Sequence, residues 1–293
     1  MPWLGHSSKG GVILQENNKL KAFAAEIRIA AIEAIHAIGS GHIGGALSIA
    51  DALAVLYGRE MRYDPQNPKW PERDKLVCSK GHAGPAVYGT LALKGFFPYE
   101  ELKTLNRPGT HLPSHCDRNK TPGVDMTTGS LGQGTSLACG MALGDKLRGR
   151  DSRVFLIVGD GESNEGQVWE ALSFAAAKKL GNLVVLLDWN KRQLDGWTKD
   201  IFPMGDYVAK FEAFGFDTVK VNGNDIDELV PALERTRAGG DRPYAIVMDT
   251  VKGAGVSEVA EKAMNHSLPV SDEQYERWTA QLKEEIKALE VEK

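Results

Sequence analysis

The sequence predicts an α/β protein with a mostly parallel central sheet and helices on both faces. Three observations carry that prediction. Short apolar runs rich in β-branched residues recur at Val154–Val158, Leu183–Leu187, Asp217–Val221 and Arg242–Thr250. Segments with helical spacing separate them, as at Gln167–Lys179 and Ile226–Ala238. The runs end in turns, Gly159-Asp160-Gly161 after the first and Asp188-Trp189-Asn190 after the second. Apolar runs too short to be helices, alternating with amphipathic stretches, are the pattern of βαβ units. Their strands pair in parallel and are buried on both faces.

Taken in order, residues 1–17 read as a polar lead-in and Leu20–Ile38 as a long helix. Gly39-Ser40-Gly41-His42-Ile43-Gly44-Gly45 breaks that helix, and its glycines let the backbone and His42 approach a ligand. Ser48–Tyr57 is the next expected helix, and the prolines at 65, 68 and 71 mark an irregular excursion. Lys75–Ser79 reads as a strand ending at Lys80-Gly81-His82, with helices expected at Ala86–Lys94 and Pro98–Leu105. Arg107–Thr128 shows little periodicity and carries His111 and His115. A loop that long inside a compact domain is commonly functional. Zinc is disfavoured there, because His111, His115, Cys116 and Asp117 are not followed by a second pair of ligands. The glycine-rich turn at 129–134 opens the helix Thr135–Arg148 and suits an anion. A helix is expected before Phe214, and an amphipathic helix from Ser271 to the end, with Trp278, Leu282, Ile286 and Leu289 on its apolar face. No repeat or linker interrupts residues 1–293, which read as one domain.

Bulk properties bound the function. A chain of 293 residues with 42% hydrophobic and 25% charged content is of the soluble globular class. A formal net charge of −4 argues against nucleic-acid binding through a general basic surface. No apolar stretch approaches the ~20 residues that span a bilayer, and the N-terminus has no signal-peptide core. The cysteines Cys78, Cys116 and Cys139 lack metal or disulfide spacing and fit a reducing compartment, so the cytoplasm is expected.

Chemistry concentrates at the strand ends. Asp160 and Asn190 each lie just past the carboxyl end of a strand, the edge at which open α/β sheets bind ligands. Two oxygen donors there suit a hard cation such as Mg²⁺, which bridges protein to phosphate. Gly159 and Gly161 leave room for the phosphate itself.

The spacing of GDG and Asn190, in a strand–helix–strand context, resembles the thiamine diphosphate signature. With SGHIGGALS, SKGHAG, TPGVDMTTGSLGQG, GDGESNEG, DWNKRQLDG, KGAGVS and NHS in order from Gly39 to His266, the chain resembles the N-terminal, diphosphate-binding half of transketolase. The resemblance implies thiamine diphosphate and Mg²⁺, with Ca²⁺ or Mn²⁺ as substitutes. It implies His42, His82, His115 and His266 around the reactive carbon and the donor substrate, with His82 and His115 also contacting the cofactor. Gly129, Leu131 and Gly161 match cofactor contacts, and Asp160, Asn190 and the Arg192 carbonyl match the metal ligands.

Three positions depart from the family's commoner pattern: Ser114-His115-Cys116, Ser267 after His266, and Trp189 within the signature. The first leaves His111 competing with His115. Glu162 and Glu165 lie beside the diphosphate end, so neither is assigned as the glutamate that activates the cofactor, which in this family belongs to another domain. The pyrimidine-binding and third domains have no counterpart here. The expected protein is therefore one subunit of a split transketolase, a transferase moving a two-carbon ketol unit from a ketose, with phosphorylated sugars expected, to an aldose. The expected partner is the C-terminal transketolase subunit, in a heterotetramer. Two alternatives stand beside it: the α subunit of a 2-oxo acid dehydrogenase, and a non-catalytic cofactor-binding subunit.

Overall fold

The structure, a computed structural model, describes residues 7–291, with side chains from residue 14 onward. Five strands form the central sheet: β1 (Lys75–Cys78), β2 (Val154–Gly159), β3 (Leu183–Trp189), β4 (Asp217–Asn222) and β5 (Tyr244–Asp249). Their order is β1-β2-β3-β5-β4, and every pairing is parallel. Side chains alternate across the pleat. Phe155, Ile157, Val184, Leu186, Ile246 and Met248 enter one core. Val154, Leu156, Val158, Val185, Leu187 and Val247 enter the other. A strand buried on both faces has no polar face to alternate with, which is why these runs read as continuously apolar.

The α-helices of six or more residues are α1 (Ser7–His36), α2 (Ala50–Val55), α3 (Gly84–Leu93), α4 (Gln133–Leu147), α5 (Gly166–Ala177), α6 (Tyr207–Ala213), α7 (Ile226–Glu234) and α8 (Asp272–Val291). Residues of α1, α2, α3, α7 and α8 pack in the first core, and residues of α4, α5 and α6 in the second. α1 begins at Ser7, so residues 7–17 of the expected lead-in are helical; residues 1–6 lie outside the described residues. The segment 99–104 is a 3₁₀ helix, and α2 runs on into a π-helical turn at Leu56–Glu60. Cys78, Cys116 and Cys139 are buried free thiols, as expected of packing residues.

The register places chemistry at one edge. β2 and β3 are neighbours with Gly159 opposite Asp188, and the Asp160 amide donates to the Asp188 carbonyl at 3.2 Å. Lys80 and His82 follow β1, and Thr250 and Lys252 follow β5, so four adjacent strands deliver polar groups to the same carboxyl edge. A two-residue antiparallel bridge pairs Ser40 with Pro269 and Gly41 with Leu268, drawing the turn after α1 against the segment before α8.

Candidate active site

A cleft of about 270 Å³ opens at this carboxyl edge, lined by His42, His82, His115, His266, Asp160 and Asn190 among others. A larger depression of about 760 Å³ lies at the amino edge, around Arg59, Arg153 and Arg237. It holds none of the expected site residues, and Arg153 and Arg237 there are both engaged with the buried Glu60.

The bridge between Ser40–Gly41 and Leu268–Pro269 explains two of the histidines: it sets His42 beside His266, with ring centroids 5.2 Å apart. His82 comes from the 3₁₀ turn Gly81–Ala83 after β1 and stands 4.7 Å from His266. His115 comes from the long irregular loop and lies 5.5 Å from His42. Burial lowers all four imidazoles. His42 is lowered further by His115 and Lys252, His82 goes well below its ordinary value beside Lys80, and His266 drops to about 3 beside Lys252. The cluster is therefore neutral near pH 7, each ring offering one N–H donor and one lone pair.

Beneath the histidines lies a buried ionic network. Lys80 Nζ meets Asp188 Oδ2 at 2.5 Å, and both side chains are almost fully buried. Ser48 Oγ, Asn190 Nδ2 and Thr250 Oγ1 also donate to the Asp188 carboxylate, at 2.8, 2.7 and 2.5 Å. Burial alone would raise Asp188, but Lys80 and these donors hold it below its ordinary value. Removing one partner of such a pair costs about 3–5 kcal/mol. Asp160 differs. Its carboxylate accepts from the Gly161 amide at 2.8 Å and the Lys191 amide at 2.5 Å, but among the described residues no cationic side chain bonds it. Burial, then the Asp188 charge, pushes it up to about 7.

The loop after β3 is tied to that carboxylate. Lys191 has φ +66°, a left-handed conformation, and its amide is the one that bonds Asp160. Asn190 Oδ1 accepts from the Arg192 amide at 3.1 Å. Lys252 Nζ reaches the Arg192 carbonyl at 3.1 Å and His266 Nδ1 at 3.3 Å, and burial lowers it to about 8. Asp160, Asn190 and Arg192 thus line one cleft, and Asp160 is a carboxylate that burial and Asp188 raise more than Lys80 lowers it. That chemistry fits a hard divalent cation. Gly161 packs tightly on the loop after β3, where a Cβ would stand 2.7 Å from Gln193 Cβ.

The four histidines, Gly129, Leu131, Asp160, Gly161, Asn190 and Arg192, all expected from the sequence, line this cleft together. His111, the competitor of His115, does not. Its Nε2 sits 2.7 Å from a Glu101 carboxylate oxygen, without hydrogen-bond alignment, and its ring meets Phe97 edge-on. Sequence reasoning misses Lys80, Lys252 and Asp188 as site residues. Lys80 and Lys252 stand inside the SKGHAG and KGAGVS motifs, which is the available signal. Glu162 has no role in the sequence reading, yet the fold buries it beneath the cleft. Its carboxylate accepts from Ser79 Oγ, from the Gly132 amide at 2.9 Å and from the Gly159 amide at 3.1 Å. Burial raises it, and those donors with Lys80 pull it back.

The family model described as transketolase, thiamine diphosphate binding domain matches residues 19–291, a span containing the whole cleft. The chain belongs to the transketolase family. It is 48% identical over 259 residues to the 6-deoxy-6-sulfo-D-fructose transketolase subunit SqwG of Clostridium sp. (strain MSTE9), covering 88% of this chain and 94% of that one. It is 39% identical to an apulose-4-phosphate transketolase subunit of Actinobacillus succinogenes, covering 86% of this chain and 91% of the relative. The solved transketolase from Leishmania mexicana superposes with a TM-score of 0.83 at 30% identity, covering 93% of this chain and 45% of that one. The chain thus spans less than half of the solved transketolases it matches and nearly all of the relatives named as subunits. Its sheet is that of a thiamine diphosphate-binding transketolase module, and among the described residues no helix is long and apolar enough to cross a membrane.

Proposed function

We propose that this chain is the diphosphate-binding subunit of a two-chain transketolase. It moves a two-carbon ketol unit from a ketose with an anionic terminal group to an aldose. The observation that carries the reading is the convergence of four neutral imidazoles directly beside the Asp160, Asn190 and Arg192 oxygens. The relatives whose names specify 6-deoxy-6-sulfo-D-fructose and apulose-4-phosphate support an anionic sugar.

In this reading Asp160, Asn190 and the Arg192 carbonyl hold Mg²⁺, for which Ca²⁺ or Mn²⁺ substitutes. Gly161 lies against the diphosphate, while Gly129, Leu131, His82 and His115 contact the rest of the cofactor. Bound thiamine diphosphate supplies the electron sink for the transferred unit. His42 and His266 hydrogen-bond the sugar hydroxyls and pass protons between them; neutral imidazoles can do both. Burial, with Lys252 nearby, keeps those rings neutral. The cofactor's other half and the activating glutamate come from a second, C-terminal subunit. The assembly is a heterotetramer with two sites in the cytoplasm.

The test combines this chain with the candidate C-terminal chain, thiamine diphosphate and Mg²⁺. Ketol transfer between a phosphorylated or sulfonated ketose and an aldose is expected. Release of CO₂ from a 2-oxo acid without an aldose acceptor would instead support the dehydrogenase reading, and cofactor binding without turnover the non-catalytic one.

A further inference from the structure

We propose that Glu162 is the positioning residue of the diphosphate cradle: its one carboxylate holds in register the three segments that carry the cofactor-facing groups. The inference rests on the cofactor reading above. Glu162 is only 3% exposed and its three hydrogen-bond donors come from three separate parts of the chain. Ser79 follows β1, immediately precedes Lys80 and lies three residues before His82. Gly132 follows Leu131, has φ +84° and is the N-cap residue of α4. Gly159 ends β2 and precedes Asp160 and Gly161. Oε1 accepts from Ser79 Oγ and the Gly132 amide, while Oε2 accepts from the Gly159 amide.

Filling space does not call for a carboxylate here. An apolar side chain of similar size would avoid the cost of desolvating a charge. Only a side chain with two acceptor oxygens joins three donors from three directions. The same segments leave no slack. A Cβ at Gly81 would meet the Gly129 amide at 2.8 Å, and one at Gly134 would meet Ser79 Cβ at 2.6 Å. A displacement of one segment therefore moves the others. Glu162→Gln puts an amide donor where an acceptor is needed, so at least one N–H or O–H loses its partner and its segment shifts.

The test is isothermal titration of inorganic diphosphate with Mg²⁺ into the full chain, with circular dichroism and thermal melting alongside. Glu162→Gln should raise Kd about tenfold, the scale of one hydrogen bond to a charged group. Ser79→Ala removes one donor, threatens the fold less, and should raise Kd in the same direction by about threefold. An unchanged Kd in the folded variants, with only a lower melting point or fewer competent sites, would make Glu162 a packing residue and overturn the proposal. Should Glu162→Gln not fold, Ser79→Ala decides alone, and an unchanged Kd overturns the proposal. Wild-type chain that binds no diphosphate would instead overturn the cofactor reading itself, and this inference with it.

Discussion

Asp160 and His266 are strained electrostatically in opposite senses, and both strains have measurable consequences. Asp160 is a carboxylate raised by burial and, after that, by the repelling charge of Asp188. A divalent cation relieves that repulsion, so Asp160→Ala should weaken Mg²⁺-dependent cofactor binding sharply. Asn190→Ala, which removes a neutral ligand, should act in the same direction but less. Affinity measured at fixed Mg²⁺ checks this, and an Asp160→Ala protein binding like wild type would remove the metal assignment. His266 is held neutral, its value lowered from 6.5 to about 3. The folded state therefore binds fewer protons than the unfolded state between those values, and stability falls as pH drops through the window. Asp160 works the other way, favouring the folded state at acid pH, so the informative quantity is a difference. His266→Asn should lose less stability than wild type between pH 7.5 and pH 5 in melting experiments without cofactor. At the substrate, His42→Ala and His266→Ala should lower turnover by about 10²–10⁴-fold while leaving cofactor affinity nearly intact. Asp160 and Asn190 were legible as strand-end residues, whereas His42 and His266 were placed in the site only by the resemblance of their motifs to transketolase. Their electrostatic state was not legible, because it depends on Lys80, Lys252 and Asp188, which come from three different strand ends.

Among the elements, the sheet and its helices follow from local pattern alone. Buried parallel strands read as apolar runs, and the expected helices fall within a few residues of those observed. The clearest difference is α1, whose helix includes residues 7–17 of the expected lead-in. Periodicity gave no helix there, because one apolar run, Val12-Ile13-Leu14, between polar residues and two glycines makes no helical repeat. Asn17 and Lys21 both bond Asp227, at the start of α7, at 2.6 and 2.7 Å. What periodicity cannot show is how loops meet. The turn after β1 and the turn before α4 pack backbone against backbone at Gly81, where a Cβ would stand 2.8 Å from the Gly129 amide and from Thr128. Neither neighbour is a side-chain end that can swing away. Gly81→Ala should therefore cost about 1–3 kcal/mol of stability as overpacking does. It should also weaken cofactor binding, because Gly129 moves with the strain. Chemical denaturation of the variant checks the first expectation; an unchanged midpoint would mean that the loops separate freely.

On the scale of the whole molecule, the apolar surface around the cleft is the feature that needs a partner. Leu131 (40% exposed) and Leu194 (56%) line the opening. The hairpin that pairs Arg192 with Trp197 leads from the cleft to Trp197 (42%), Ile201 (42%) and Phe202 (55%). Singly exposed apolar residues are ordinary, but several in one segment beside a cleft mark a surface meant to be covered. Relatives of matching length are named as subunits, and the solved transketolases carry more than as much chain again. The protein alone should therefore bind a hydrophobic dye, self-associate, and show no ketol transfer with cofactor and Mg²⁺. Adding the C-terminal chain should quench the dye, give a complex containing both chains, and restore turnover. Ile201→Asp and Phe202→Asp place charges on that surface and should weaken association while leaving the separate fold intact, because both side chains face solvent. Sedimentation velocity on the mixed chains measures this. Robust turnover by the isolated chain would show that the cleft is complete without a partner, and undiminished association of both variants would show that the contact lies on another face.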